Sequence, residues 1–151
     1  MTEPYDSFHD TQQHIYEVRE LLHRVALALI ERGRWHDSSK FTLPEKTAYD
    51  RVTPKLKGVA YGSDEYTKVV AELGDALKHH YANNSHHPEH YPDGIAGMDL
   101  LDVVEMVCDW VVAGRRNEDQ EVNMMANIVR FRIQPQLVSI LTRTVRDLER
   151  Q

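Results

Sequence analysis

The chain is poor in the features that mark an extracellular or membrane protein. It has one cysteine, Cys108, so no internal disulfide can form. That thiol stands in an apolar run beside Asp109, where it reads as a packed side chain rather than a nucleophile. No stretch nears the roughly 20 apolar residues that span a bilayer. The polar, acidic start Met1-Thr2-Glu3-Pro4-Tyr5-Asp6 lacks the basic and apolar regions of a signal peptide. A cytoplasmic protein without membrane association is expected. Basic residues are outnumbered, 18 Lys and Arg against 24 Asp and Glu, for a net charge of -6. That balance argues against a nucleic-acid polymer as partner, which would call for a basic face, but it allows a small phosphorylated ligand held by one or two local cations. Alternating strand patterns, internal repeats, low-complexity tracts and domain linkers are also missing. The 151 residues, 41% of them hydrophobic, predict one domain over 1–151 with a real core.

What is present is helical periodicity. Ile15, Val18, Leu22, Val25 and Leu29 recur at steps of three and four, predicting a first helix from about Ser7 to Arg32 that Gly33 closes. His36 to Phe41 reads as a short helical turn. Thr42 and Glu45 resemble a capping box, with Pro44 in the first turn of a helix of about two turns. Val52 to Gly62, with Pro54 and Gly58, reads as a loop and a candidate flap. Ser63 caps a helix whose stripe runs Tyr66, Val69, Leu73, Leu77 and His80; this phase points His80 inward and turns His79 about 100° away. His86 to Met98 is a loop. Asp99 starts a helix through Ala113, with Leu100, Val103, Val104, Val107 and Trp110 on its apolar side, Asp102, Glu105 and Asp109 aligned on another, and Gly114 as its stop. Helices over about Glu118 to Ile133 and Pro135 to Arg150 complete an all-α bundle of about five to seven helices.

Nine histidines stand out in this background. Neutral imidazoles and ionised carboxylates are the protein groups that best hold divalent metals. His14, His36 with Asp37, His80, the pair His86-His87, and Asp109 fall on separate elements, and a helical bundle can bring such residues to one central point. His9, His23 and His79 read as surface residues. His14 taken alone reads as a core histidine, and Glu45 is fully accounted for by the capping box. Glu89 and His90 suit a role in orienting imidazoles. Asp102 and Glu105 suit either that role or a solvated face, and Arg115 and Arg116 complement a helix end.

The order His14, His36-Asp37, Asp109 on an all-helical chain resembles the HD-domain superfamily of metal-dependent phosphohydrolases over roughly Gln13 to Ala113. His36-Asp37-Ser38-Ser39-Lys40 is similar to the HD-x-x-K form of its cyclic-dinucleotide phosphodiesterase branch. The run from His86 to Gly94 is similar to that branch's His-His and Asp-Gly element, with a longer spacer and no Gly-Tyr-Pro after it, which counts against a cyclic dinucleotide as substrate. The whole looks closest to small bacterial and phage HD-like proteins.

The resemblance implies a phosphohydrolase acting on a nucleotide or another small phosphoester. His14, His36, Asp37 and Asp109 would hold one divalent metal, and Asp37 would bridge to a second held by His80 and by one or both of His86 and His87. Mn, Fe, Co, Ni, Zn and Mg are all open as occupant. Lys40 would stabilise charge on the phosphoryl group, and Glu45 would position or deprotonate water. Two other functions fit the same scaffold, a di-iron oxygenase and a non-catalytic module in which metal holds the fold or binds an effector. A homo-oligomer is compatible with the sequence.

Overall fold

Most of the predicted helical periodicity is helix in the described residues. The computed structural model describes residues 5–60, 62–115 and 124–150. Among these the chain is all-α, with seven α-helices, four short 3-10 turns and no strand. It divides into two compact units, one ending at Trp35 and the other beginning at His36. None of the described helices is long and apolar enough to cross a membrane.

The first unit carries α1, Phe8–Trp35. Its predicted stripe is present as helix, with Ile15, Val18, Leu22 and Val25 all exposed. Gly33 does not end it. A glycine inside a helix costs about 1 kcal/mol, too little to stop a helix of 28 residues.

The second unit holds α2 (Glu45–Val52), α3 (Asp64–Ala71), α4 (Asp75–Asn83), α5 (Leu100–Gly114), α6 (Met124–Phe131) and α7 (Pro135–Glu149). Two apolar clusters hold it together by removing hydrocarbon from water. Ala48 and Val52 of α2 bury against Leu73 and Ala76, flanked by Val69, Val70 and Leu77. Met106, Val107, Trp110 and Val111 of α5 bury against Ile133 and against Leu141 and Val145 of α7. The Trp110 ring stacks on Phe131 at 5.8 Å between centroids.

Several local expectations are corrected. The single helix predicted from Ser63 to Asn83 is two. Ser63 does cap α3, its hydroxyl accepting the Tyr66 N–H at 3.1 Å, but Gly74 interrupts the run with a positive φ of 55° and ψ of -122°. Only glycine reaches such a backbone without a Cβ penalty. The Thr42–Glu45 capping box does not form, because Pro44 occupies the cap position of α2. Thr42 instead donates to the Ser39 carbonyl at 3.0 Å, and Glu45 turns into the protein. Val52 is the fully buried end of α2, and Thr53–Leu56 forms a 3-10 turn, so among the described residues the candidate flap shrinks to 57–60 and 62, and Tyr61 lies outside the described residues. Cys108 is exposed rather than packed, and partial burial, Glu105 and Asp109 raise its pKa, which keeps it a thiol. Leu100 is exposed, because α5 turns Met106 and Val111 into the core instead. The predicted start of the next helix at Glu118, and Arg116, lie outside the described residues.

The start of α5 joins two parts of the second unit. Asp99 and Asp102 form a reciprocal capping box, with N–H to carboxylate distances of 2.8 and 3.0 Å. Asp102 is buried and also accepts from Ser85 Oγ at 2.6 Å and Tyr91 Oη at 2.7 Å. It is therefore no solvated face. Ser85 and Tyr91 bracket His86 and His87, so one carboxylate ties the histidine loop to the helix that carries Glu105 and Asp109. Asp102→Ala keeps the Asp99 cap on its own N–H but leaves the Asp99 N–H, Ser85 Oγ and Tyr91 Oη without their acceptor. The expected loss is about 1–3 kcal/mol of unfolding free energy, measured as a lower midpoint in urea at unchanged m-value.

Candidate metal centre

The site begins at one unusual backbone position. Asp37 takes a left-handed conformation, φ 56°, ahead of the 3-10 turn Ser38–Phe41. Aspartate is among the few residues that visit this region, and such positions concentrate at functional sites. His36 and Asp37, although adjacent, thereby serve the same cluster: His36 Nε2 lies 3.6 Å from Asp37 Oδ2 and 3.7 Å from Asp109 Oδ1.

The other imidazoles arrive from α4 and from the loop after it. His80 Nε2 lies 3.3 Å from Asp37 Oδ1, and His86 Nε2 lies 3.5 Å from the same oxygen. His87 Nε2 is 2.9 Å from His80 Nε2. Two imidazole nitrogens this close need a proton or a cation to offset their lone pairs. Four groups of three residues each bring ligand atoms within 4.8 Å of one another: His36, Asp37 and Asp109; Asp37, His80 and His87; His86, His87 and Asp109; and His36, His86 and Glu105. Six of the seven metal ligands expected from the sequence thus come together. His14 is exposed on α1 and belongs to none of these groups.

Two glutamates orient the rings. Glu105 Oε1 accepts from His36 Nδ1 at 2.9 Å and lies 3.0 Å from His86 Nδ1. Glu45, fully buried, accepts from His80 Nδ1 at 2.8 Å, from His79 Nδ1 at 2.7 Å and from Ser39 Oγ at 3.0 Å. A carboxylate only accepts, so each of these rings keeps a proton on Nδ1 and turns Nε2 to the cluster, where a neutral ring such as His80 presents a lone pair. Asn84 braces this side, donating to Ser39 Oγ and to the His80 carbonyl, both at 2.8 Å. Glu89 and His90, expected to orient imidazoles, do something else. They sit on the turn Pro88–His90, where His90 Nδ1 donates to the Tyr81 carbonyl and Glu89 accepts from Arg130 of α6.

The electrostatics fit a cation. The neighbouring carboxylates of Asp109 and Glu105 hold the His36 pKa up to about 10, against the opposing effect of burial. Burial, with the charge of Lys40, pushes His80 below its ordinary value, and burial beside His86 and His80 takes His87 to about 3. Burial works against the charge on Asp37 and on Asp109. Lys40 and His36 outweigh it at Asp37, and His36 outweighs it at Asp109, so both carboxyls lie below the ordinary range. Asp37 Oδ1 and His86 Nε2 are buried and have no hydrogen-bond partner. Such atoms cost about 1–3 kcal/mol each when nothing satisfies them. A cation between them would satisfy both, and hard carboxylate with imidazole is a donor set suited to Mn, Fe, Co, Ni or Zn.

Over residues 3–147 the chain matches a family of unknown function, DUF5662. It belongs to that family. No curated protein and no solved structure matches it. In this DUF5662 member the helical phase at α4 separates two adjacent histidines. The His80 side chain is 2% exposed, whereas that of His79 is 38% exposed and touches Glu45 alone among the site carboxylates. His80→Ala should lower bound metal much more than His79→Ala, as read by elemental analysis of protein purified without chelator. Equal losses would mean that His80 is not a ligand.

Proposed function

We propose that the protein is a metal-dependent phosphohydrolase that cleaves a nucleotide or another small phosphoester. One observation carries this: imidazole Nε2 atoms from α4 and the loop after it converge on the buried, unpartnered Oδ1 of Asp37, with the ammonium of Lys40 on the other oxygen of the same carboxylate. His36, Asp37 and Asp109 would hold one divalent ion, and Asp37 with His80, His86 and His87 a second. When bound, such ions polarise a phosphoryl oxygen and make water acidic enough to attack at neutral pH.

The remaining work falls to the chain's own side chains. Glu45 is occupied by His79, His80 and Ser39, which suits it to orienting ligands rather than to taking a proton from water, the role expected from the sequence. Lys40 stands over the Tyr49 ring at 4.9 Å with its side chain one-third exposed. From there it can move from Asp37 to a phosphoryl oxygen once ions neutralise that aspartate. Its protonated amine has no lone pair and cannot be a ligand.

The test is a panel of nucleotides and phosphomonoesters assayed with Mn, Fe, Co, Ni, Zn and Mg in turn. Metal-dependent hydrolysis is expected. No turnover with any of these ions would remove the proposal, and product formation that strictly requires oxygen would replace it with an oxygenase.

Two substitutions separate the roles. Asp37→Ala removes the carboxylate shared by both ions and should abolish metal retention; a full metal complement by elemental analysis would show the ligand assignment to be wrong. Lys40→Ala should keep metal content and thermal stability yet lower kcat/KM by the equivalent of about 2–4 kcal/mol, as for other preorganised electrostatic groups.

A further inference from the structure

Glu105 occupies a position that differs in kind from that of Glu45. Its Oε1 meets two imidazoles that face opposite oxygens of Asp37. His36, 2.9 Å from Glu105 on its Nδ1 side, directs Nε2 to Asp37 Oδ2 and Asp109. His86, 3.0 Å from the same Oε1, directs Nε2 to Asp37 Oδ1. The two rings lie 4.5 Å apart between centroids. Glu45 holds only one ring that faces the cluster, His80, which is also on the Oδ1 side. The second ring on Glu45, His79, belongs to no ligand group among the described residues.

We propose that Glu105 is a positioning residue common to two metal positions, setting one imidazole of each, whereas Glu45 positions a ligand of the Asp37 Oδ1 position alone. This rests on the metal-binding part of the proposed function and is independent of the substrate. The physical basis is tautomer selection. An imidazole presents Nε2 to a metal only while Nδ1 keeps its proton, and the Nδ1 acceptor decides this. One acceptor shared by two rings ties their orientations together, so its loss releases both.

Glu105→Ala and Glu45→Ala are compared with the parent protein by calorimetric titration of the metal-free chain with Zn(II), with stoichiometry checked by elemental analysis. The parent protein is expected to take two equivalents. Glu45→Ala should keep one tight equivalent and weaken the other by about 10- to 100-fold, and Glu105→Ala should weaken both by that factor, the usual cost of losing such an outer partner. Glu105→Gln offers a carbonyl oxygen to the same two Nδ1 protons and should recover part of the loss at both positions together.

In the Zn-loaded parent protein the hydrogen-bonded Nδ1 protons of His36 and His86 should give two downfield proton resonances, both absent in Glu105→Ala and both present in Glu45→Ala. A purely structural role would not sort the resonances this way. Circular dichroism confirms folding of each variant. If the fully buried Glu45 does not tolerate Ala, the Glu105 pair still decides. One position left intact in Glu105→Ala would overturn this proposal without touching the metal reading. A parent protein that binds a single equivalent would overturn the shared role, and one that binds none would overturn the metal reading itself.

Discussion

An imidazole has two nitrogens, and the partner of one decides what the other can bind. The centre of this protein depends on that constraint. The carboxylates of Glu45 and Glu105 accept from the Nδ1 side of the rings around Asp37, and the Nε2 atoms are left pointing at one another and at an aspartate. Such an arrangement is unfavourable as it stands, because desolvated lone pairs and a partnerless carboxylate oxygen have nothing to offset them. It becomes favourable when positive charge enters. The proton that His36 retains to about pH 10 and the ammonium of Lys40 supply part of that charge.

The rest of the second unit supplies the rigidity this geometry demands. Packing of α2 on α4 and on the turn before it, through Ala48, Val52, Leu73 and Ala76, sets Glu45 against His80. The apolar seam of α5 with α7 fixes the helix that carries Glu105 and Asp109. Asp102, three residues before Glu105, anchors the histidine loop through Ser85 and Tyr91. The polar cluster is thus bordered by elements whose positions are decided by hydrocarbon burial, a force without direction, while the rings inside it are aimed by named hydrogen bonds.

Part of this is legible in the sequence. Helix type, the caps at Ser63 and Asp99, the inward phase of His80 and the candidate set His36, Asp37, His80, His86, His87 and Asp109 all follow from spacing and residue chemistry, because periodicity and capping are local properties. The break at Gly74 is hidden, since Leu73 and Leu77 continue the apolar stripe across it. Glu45 is obscured for a related reason: a glutamate three residues after a threonine has a sufficient local explanation, and only the fold shows that Pro44 takes the cap and that His79 and His80 lie opposite. Glu105 has a weak signal in its alignment with Asp109. Ser39 and Asn84 have none, since the two partners stand 45 residues apart in the chain.

The interruption at Gly74 bears on how the chain tolerates changes in length. Helical phase is counted from the start of a helix, so the direction of His80 is set by the residues from Asp75 onward and not by α3. A residue gained or lost within α3 leaves the count from Asp75 to His80, and with it the phase of the imidazole on α4, unchanged. The same change between Gly74 and His80 rotates the ring by about 100° and brings His79 or Tyr81 to the cluster in its place. The glycine therefore works as a phase reset that insulates the ligand from the segment upstream.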